Sequence, residues 1–475
     1  MKTFYWYDYE TFGLSPRVQR IAQFAGIRTD ENLNILDEHM FYCKPTHDCL
    51  PAPEACAVTG ITPQLCEQKG LIEHEFIKKI NKEFTVPQTC IVGYNSIAFD
   101  DEFTRHTLFR NFLDPYAWHW QNGNTRWDIL NVARFCYAHK EQESLEWVKN
   151  ENNRPIFKLD RLAPANAIDH ANAHDAMADV RATIGIAKII QETQPIFFNY
   201  ALSLNAKKEV SRQVKILHPM LLTSSTFGYK CSFTRMVTAL CYHPDYPDRA
   251  IVFNLEQDPE IILELESNEL KTLVFTKKSN LPKGVDKLEL NELIFNKSPM
   301  FVCSPKPDNF KLSPLLIEKL QVDMDKCMKN LSYIQNNQKQ IEKIVQSIYK
   351  KDPEREMSND IDQSLYDNFV SNKDRKICNH IQSLSSNEIG LLNPNFEDRR
   401  LLKLFLNFKA RNYPELLSED EQEEWFEIVQ SRVQNGENGF LSFDSFENSL
   451  DNLKNSNPEK DKLWQDLEAY AQTFL

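Results

Sequence analysis

Over the first 200 residues, short runs of aromatic and β-branched residues alternate with stretches of helical periodicity. Thr3 to Tyr9, Ile21 to Arg28, a run ending at Phe41-Tyr42-Cys43, and Thr89 to Tyr94 read as strands. Glu73 to Phe84 and Ala176 to Ile190 read as helices, and the mixture predicts an α/β domain with a mixed central sheet over residues 1–200. From about 201 the texture changes. Met236 to Leu240 and Ala250 to Phe253 are β-branched runs separated by the turn Pro244-Asp245-Tyr246-Pro247-Asp248, which predicts a small β-barrel or sheet domain. Leu312 to Tyr349 returns to helical spacing and closes this second part at about 355. The polar, proline-containing stretch Lys350 to Asp362 reads as a linker, and the pattern beyond it is helical to 475. There Arg399 to Ala410 is amphipathic, and Ser418-Glu419-Asp420-Glu421 forms a capping box ahead of Trp425. The division is therefore 1–200, 201–355 and 356–475.

Composition narrows the function classes. No apolar run approaches the roughly 18 residues of a membrane span, and no basic segment followed by an apolar one opens the chain. A soluble, cytoplasmic protein is the expectation. Eleven cysteines are scattered without CxxC or Cys/His spacing, which argues for reduced thiols and against zinc. The net charge of −13 is uneven: residues 201–355 carry 23 Lys+Arg against 19 Asp+Glu, whereas 356–475 carry 12 against 23. A basic stripe suffices for nucleic-acid binding, so global acidity does not exclude that partner. No coiled-coil seam is present, and a monomer is expected.

The chemistry starts at Phe4-Tyr5-Trp6-Tyr7-Asp8-Tyr9-Glu10-Thr11. Side chains alternate along a strand, so Asp8 and Glu10 share a face about 6.5 Å apart, close enough to hold hard cations. The bland alternative is an exposed strand with two surface acids. Asp100 follows the apolar strand Cys90-Ile91-Val92 and stands where α/β folds commonly place ligands. Asp101 and Glu102 read instead as acids that offset a helix macrodipole. Asn172 to Val180 opens a helix with Asp175 as N-cap, Asp179 one turn in and His174 just ahead of it. Four carboxylates in one pocket need cations. Two Mg²⁺ ions, with Mn²⁺ as substitute, would answer that need and activate a phosphoryl transfer, with His174 suited to take a proton from water.

The triplet Asp8-Tyr9-Glu10, Asn95-x3-Phe99-Asp100 and His174-x4-Asp179 resembles the three motifs of the DEDDh superfamily of 3′→5′ exonucleases. Tyr7 to Gly13, Phe41 to Pro45, Val58 to Gln64, Asp114 to Trp118 and residues 172 to 180 further resemble the bacterial exodeoxyribonuclease I family, over essentially the full chain. That resemblance implies an RNase H-like exonuclease domain, an SH3-like β domain and an all-helical C-terminal domain closing around single-stranded DNA. It implies processive release of 5′-mononucleotides from the 3′ end in DNA repair and recombination. It also implies Asp8, Glu10, Asp100 and Asp179 as metal ligands, Glu10 also contacting substrate, and His174 as general base. Lys158 stands where relatives carry Arg; an ammonium lacks the bidentate fork for phosphate.

Between Arg105 and Arg134 cations and rings interleave, the mixture that grips a single strand by stacking and phosphate contact. Phe109, Phe112, Trp118 and Trp127 are assigned to packing. Arg105, Tyr116, Trp120 and Arg134 match contact positions of the resembled family, and Lys207, Lys208, Arg212, Lys215, Lys230 and Arg235 extend a basic track or are ordinary surface charge. The family also implies a partner, the acidic C-terminal tail of a single-stranded DNA-binding protein. Two other readings compete: the same chemistry on RNA, and a binding protein that keeps the fold without catalysis.

Overall fold

The computed structural model describes residues 2–140, 144–170, 175–303, 313–351 and 357–474. They fall into two compact units, the first of Met1–Thr125, His170–Arg181 and Glu356–Leu475, the second of Arg126–Asp169 and Ala182–Arg355. No helix among the described residues is long and apolar enough to cross a membrane.

In the first unit, β1 (Thr3–Thr11) runs antiparallel to β2 (Ile21–Thr29), which is flanked by β3 (Ile35–Tyr42). On its other side β1 pairs in parallel with β4 (Thr89–Gly93), so the sheet is mixed, as expected. Tyr5, Trp6, Tyr7 and Tyr9 are all buried because both faces of β1 are covered. The edge strand β3 is exposed along most of its length, Ile35, Leu36 and Met40 included. Three helices follow β3: α1 (Pro53–Thr59), α2 (Pro63–Lys69) and α3 (Glu73–Phe84). Phe76, Ile77, Ile80 and Phe84 recur at helical spacing along α3 and pack on Tyr5, Tyr7 and Phe24, with the Phe84 ring 4.9 Å from Tyr7 at an edge-to-face angle. After β4 comes α4 (Asp100–Arg110).

The C-terminal segment is helical and completes this unit. Phe446 and Leu450 of the helix Phe443–Ser456, with Trp464 and Leu467 of Asp461–Ala471, share a core with Phe12, Ala22, Leu50, Cys56 and Cys66. Leu401, Leu404, Phe405 and Phe408 of the helix Arg399–Asn412 enclose Phe109 and Phe112. Phe109, Phe112 and Trp118 are thus packing residues, as assigned. The Ser418 capping box is also present, its side chain accepting from the Glu421 backbone.

One sequence expectation is corrected here. The stretch read as a polar linker ends in buried structure: Ile361–Tyr366 is a 3-10 helix, and the Asp362 side chain is fully buried. Arg411 reaches Asp362 at 2.6 Å and Asp48 at 3.2 Å, and Arg432 reaches Asp48 at 2.6 Å and Asp360 and Asp362 at 2.9 Å. Arg20 joins Asp48 at 2.6 Å, while Arg110 holds Glu73 at 3.0 Å. Sequence polarity is a poor guide at this point because the acids meet arginines distant in the chain, which offset much of their desolvation.

The second unit carries an antiparallel five-stranded sheet in the order Met300–Cys303, Pro219–Thr223, Thr234–Tyr242, Arg249–Asn254 and Leu290–Ile294. Leu331, Ile334, Ile341, Val345 and Ile348, from the helices Met324–Asn336 and Gln338–Tyr349, bury against Leu240, Ile251 and Phe253 of this sheet. The β runs and the helical return expected beyond residue 201 are therefore present. Trp127 is fully buried here, edge-on to Phe198 at 5.1 Å.

Candidate metal centre

Asp8 and Glu10 lie two residues apart near the end of β1, where the ladder to β2 slips between Glu10 and Thr11. Such an irregularity re-aims side chains at a strand end. Asp179 comes from the first turn of the helix Ala176–Thr193. Carboxylate oxygens of Asp8, Glu10 and Asp179 lie within 4.8 Å of one another. Asp100 heads α4 and acts on Asp8 more strongly than any other charged neighbour, ahead of Asp179 and Glu10.

Local contacts explain why these elements converge. Gln23 faces Glu10 across the β1–β2 ladder. Its Oε1 accepts the Ala176 N–H at 3.3 Å and its Nε2 donates to the Tyr42 hydroxyl at 3.1 Å, tying the start of the Asp179 helix to the sheet. Asp175 caps that helix as expected, accepting from the Met177 and Ala178 backbones. On the other side, the Tyr7 hydroxyl donates to Asp101 at 2.7 Å, and the Thr104 hydroxyl both meets Tyr9 at 2.9 Å and donates to the Asp100 carbonyl at 3.0 Å. Asp101 is therefore more than a solvated terminus acid: it is buried and anchors α4 beneath β1. Gly93 permits the approach, since a Cβ there would lie 2.5 Å from the Ser96 Cβ and 3.1 Å from the Tyr7 carbonyl.

The electrostatics follow from crowding. Burial first, then Asp100, Asp179 and Glu10, pushes the Asp8 carboxyl well above the usual range. Glu10 is pushed up to about 8 by burial, with Asp179 and Asp175 adding to it. A group of acids that resists its own ionisation is suited to a counter-cation. Its donors are all oxygen, the set preferred by hard divalent ions such as Mg²⁺ or Mn²⁺.

The other expected site residues distribute as follows. His174 lies outside the described residues. In the first unit, Arg105 donates from Nη1 to Glu102 at 2.7 Å and to the Tyr366 hydroxyl at 3.4 Å, and its guanidinium sits 5.7 Å over the Tyr116 ring. Arg105 and Tyr116 are thus brought together, with the Arg105 charge already partnered. Trp120 is 60 % exposed. In the second unit, Arg134 lies 5.9 Å over Phe157 and donates to Asn131 at 3.1 Å, while Lys158 is exposed at the N-cap of the helix Leu159–Ala165. Of the basic track, Lys207 pairs with Asp248 at 3.5 Å and Arg212 with Glu209 at 2.5 Å.

Two features escaped the sequence reading. Leu365 and the exposed Phe369 edge a cavity of about 240 Å³ shared with Phe109 and Tyr116; only the position of apolar residues after a charged stretch hinted at it. The second is His170, whose Nε2 meets Oδ1 of Asp179. It stands four residues before His174, a spacing without meaning until the helix turn brings Asp179 back to it.

Comparison with known proteins matches this arrangement at full length. A family model described as exonuclease covers residues 5–187, one described as exonuclease I SH3-like domain covers 205–351, and one described as exonuclease I C-terminal domain covers 359–474. The chain is 38 % identical to exodeoxyribonuclease I of Haemophilus influenzae over 100 % of this chain and 99 % of the relative. With exodeoxyribonuclease I of Escherichia coli it shares 39 % identity over 90 % of this chain and 88 % of the relative. Among solved structures, E. coli exonuclease I in complex with a dA16 oligonucleotide gives a TM-score of 0.93 at 35 % identity, covering 100 % of both chains. A zinc-bound E. coli ExoI–ssDNA complex gives 0.91 at 35 %, covering 100 % of this chain and 99 % of that one. Exonuclease I in a structure of SSB/Exonuclease I with the inhibitor CFAM gives 0.89 at 33 %, covering 100 % of both.

Proposed function

The chain belongs to the exodeoxyribonuclease I family and is an exonuclease, and from that premise we propose that it processively shortens single-stranded DNA from the 3′ end, releasing 5′-mononucleotides. The observation that carries the reading is the carboxylate cluster. Asp8, Glu10 and Asp179 gather their oxygens within 4.8 Å, with Asp100 first among the charges acting on Asp8. These four would hold two Mg²⁺ ions, which when bound lower the pKa of the attacking water and offset charge on the transferring phosphoryl group. Oxygen donors alone favour Mg²⁺ or Mn²⁺ over a thiophilic ion.

The chain's own groups supply the rest. His174 is the general base that takes the proton from the attacking water, a role carried over from the family motif. Glu10, besides its ligand role, faces the terminal nucleotide. Tyr116 and Trp120 offer rings to bases, with Arg105 behind Tyr116, and Arg134 and Lys158 follow phosphates, a combination of stacking and charge that tolerates any sequence. The parts 1–200, 201–355 and 356–475 act as exonuclease, SH3-like and helical domains. A monomer working in the cytoplasm during DNA repair fits this role. The structure with SSB supports that protein as a partner; its acidic tail would dock on basic residues, so that contact should weaken as salt rises.

The direct test is Asp100→Ala assayed on a 5′-labelled single strand with Mg²⁺, alongside binding of the same strand in EDTA. Nucleotide release is expected to vanish while binding persists or tightens, as repulsion of phosphate is relieved. Retained turnover would overturn the assignment. Equal or faster turnover of a matched RNA strand would overturn the substrate.

A further inference from the structure

We propose that His170 is a positioning residue: its Nε2–H fixes one oxygen of Asp179, so that the carboxylate is presented to the cation held with Asp8 and Glu10. The inference rests on Asp179 being a metal ligand. Its own content is that the ligand is aimed by a histidine outside the known motif pattern.

Three observations carry it. The His170 Nε2 meets Asp179 Oδ1; a carboxylate ionised to hold a cation only accepts, so in that state the ring nitrogen is the donor. The His170 side chain is 1 % exposed against 18 % for Asp179, so the fixed partner is the imidazole and the movable one is the acid. The Nδ1 atom of His170 is buried without a hydrogen-bond partner among the described residues. An unsatisfied buried nitrogen costs stability that an apolar residue of similar size would avoid. A residue kept for packing alone has no reason to bear that cost, whereas one kept for its Nε2–H does.

The physical need is plain. Asp179 shares its surroundings with Asp8 and Glu10, and like charges at that range drive a free side chain outward. Asp179 is able to leave, because it projects from a helix turn and its side chain is 18 % exposed. A donor on Oδ1 holds the carboxylate inward, towards the ion. Outer-shell partners of this kind orient ligands, and their removal weakens metal binding about ten- to a hundredfold.

The experiment measures Mn²⁺ binding to the full chain by electron paramagnetic resonance of the free ion, without DNA, for the parent, Asp179→Ala, His170→Ala and His170→Gln. His170→Ala should raise the Mn²⁺ dissociation constant about ten- to a hundredfold. His170→Gln, which places an amide N–H where Nε2–H stood, should recover most of that loss. Affinity in His170→Ala equal to the parent's, with Asp179→Ala impaired, would overturn the positioning role alone. Unchanged affinity in Asp179→Ala would overturn the ligand assignment beneath it. A histidine serving only packing would lower the melting temperature of both His170 variants and leave their Mn²⁺ affinity alone. Should His170→Ala not fold, ¹⁵N-histidine NMR of the parent decides. The Nε2–H tautomer, present with and without Mg²⁺, is expected, and the Nδ1–H tautomer would overturn the proposal.

Discussion

Glu10 carries the clearest consequence at the scale of single residues. Its carboxyl is held up at about 8 by burial and by Asp179 and Asp175, and Asp8 is raised by the same causes with Asp100 first among the charges. Folded, these acids keep protons that the unfolded chain gives up near pH 4 to 4.5. In the metal-free protein they therefore cost nothing at low pH and cost progressively more as pH rises towards 8. Cations remove the cost. The rise in melting temperature on adding Mg²⁺ should accordingly be larger at pH 8 than at pH 6, as scanning fluorimetry would show; an equal rise would contradict the raised carboxyl groups. Glu10→Gln should abolish cleavage yet raise the metal-free melting temperature at pH 8, by about 2–4 °C per kcal/mol relieved. Asp8, Glu10 and Asp179 were legible as candidates from strand alternation and helix position. Asp101 was legible only as a helix-terminus acid, because its burial depends on Tyr7, distant in sequence. His170 was not legible at all, since nothing in local spacing ties it to Asp179.

Elements were legible where one face decides them. The helix Glu73–Phe84 shows its buried stripe directly, and the strands at Thr3, Ile21 and Thr89 follow from their aromatic and β-branched runs. The 3-10 helix Ile361–Tyr366 was not, because two of its neighbouring acids mimic a solvated linker. A close approach at the end of α2 was equally silent in sequence. A Cβ on Gly70 would lie 2.4 Å from the Cys66 carbonyl, 2.7 Å from the Lys44 nitrogen and 2.9 Å from the Cys43 carbonyl carbon, all backbone atoms. Backbone cannot swing aside as a side chain can. Gly70→Ala should therefore cost about 1–3 kcal/mol, read as a lower midpoint in urea, with cleavage retained below the transition. Unchanged stability would show that β3 and α2 have room to part.

For the whole molecule the decisive feature is the buried ion network. Arg20, Arg411 and Arg432 converge on Asp48 and Asp362, with Arg110 on Glu73 beside them. Opposing charges hold Asp48, Glu73 and Asp362 below the usual carboxylate range, whereas burial moves Asp360 upward despite Arg432. For the three depressed acids, stability is fully present above about pH 4 and is lost as pH falls through their folded values. Circular dichroism should show cooperative acid unfolding below that pH. Arg432→Ala, which leaves Asp48, Asp360 and Asp362 short of a partner, should cost about 3–5 kcal/mol by urea denaturation at pH 7. A cost below 1 kcal/mol would mean that water replaces the guanidinium.

The first unit draws its residues from both ends of the chain, and that arrangement sets when the enzyme can exist. Phe12 and Leu50 leave the ribosome long before their core partners Trp464 and Leu467. At about 5–20 residues per second, Phe12 and Leu50 wait roughly 20–90 s for that cover. A chain cut short by a premature stop ahead of Trp464 therefore never completes this core.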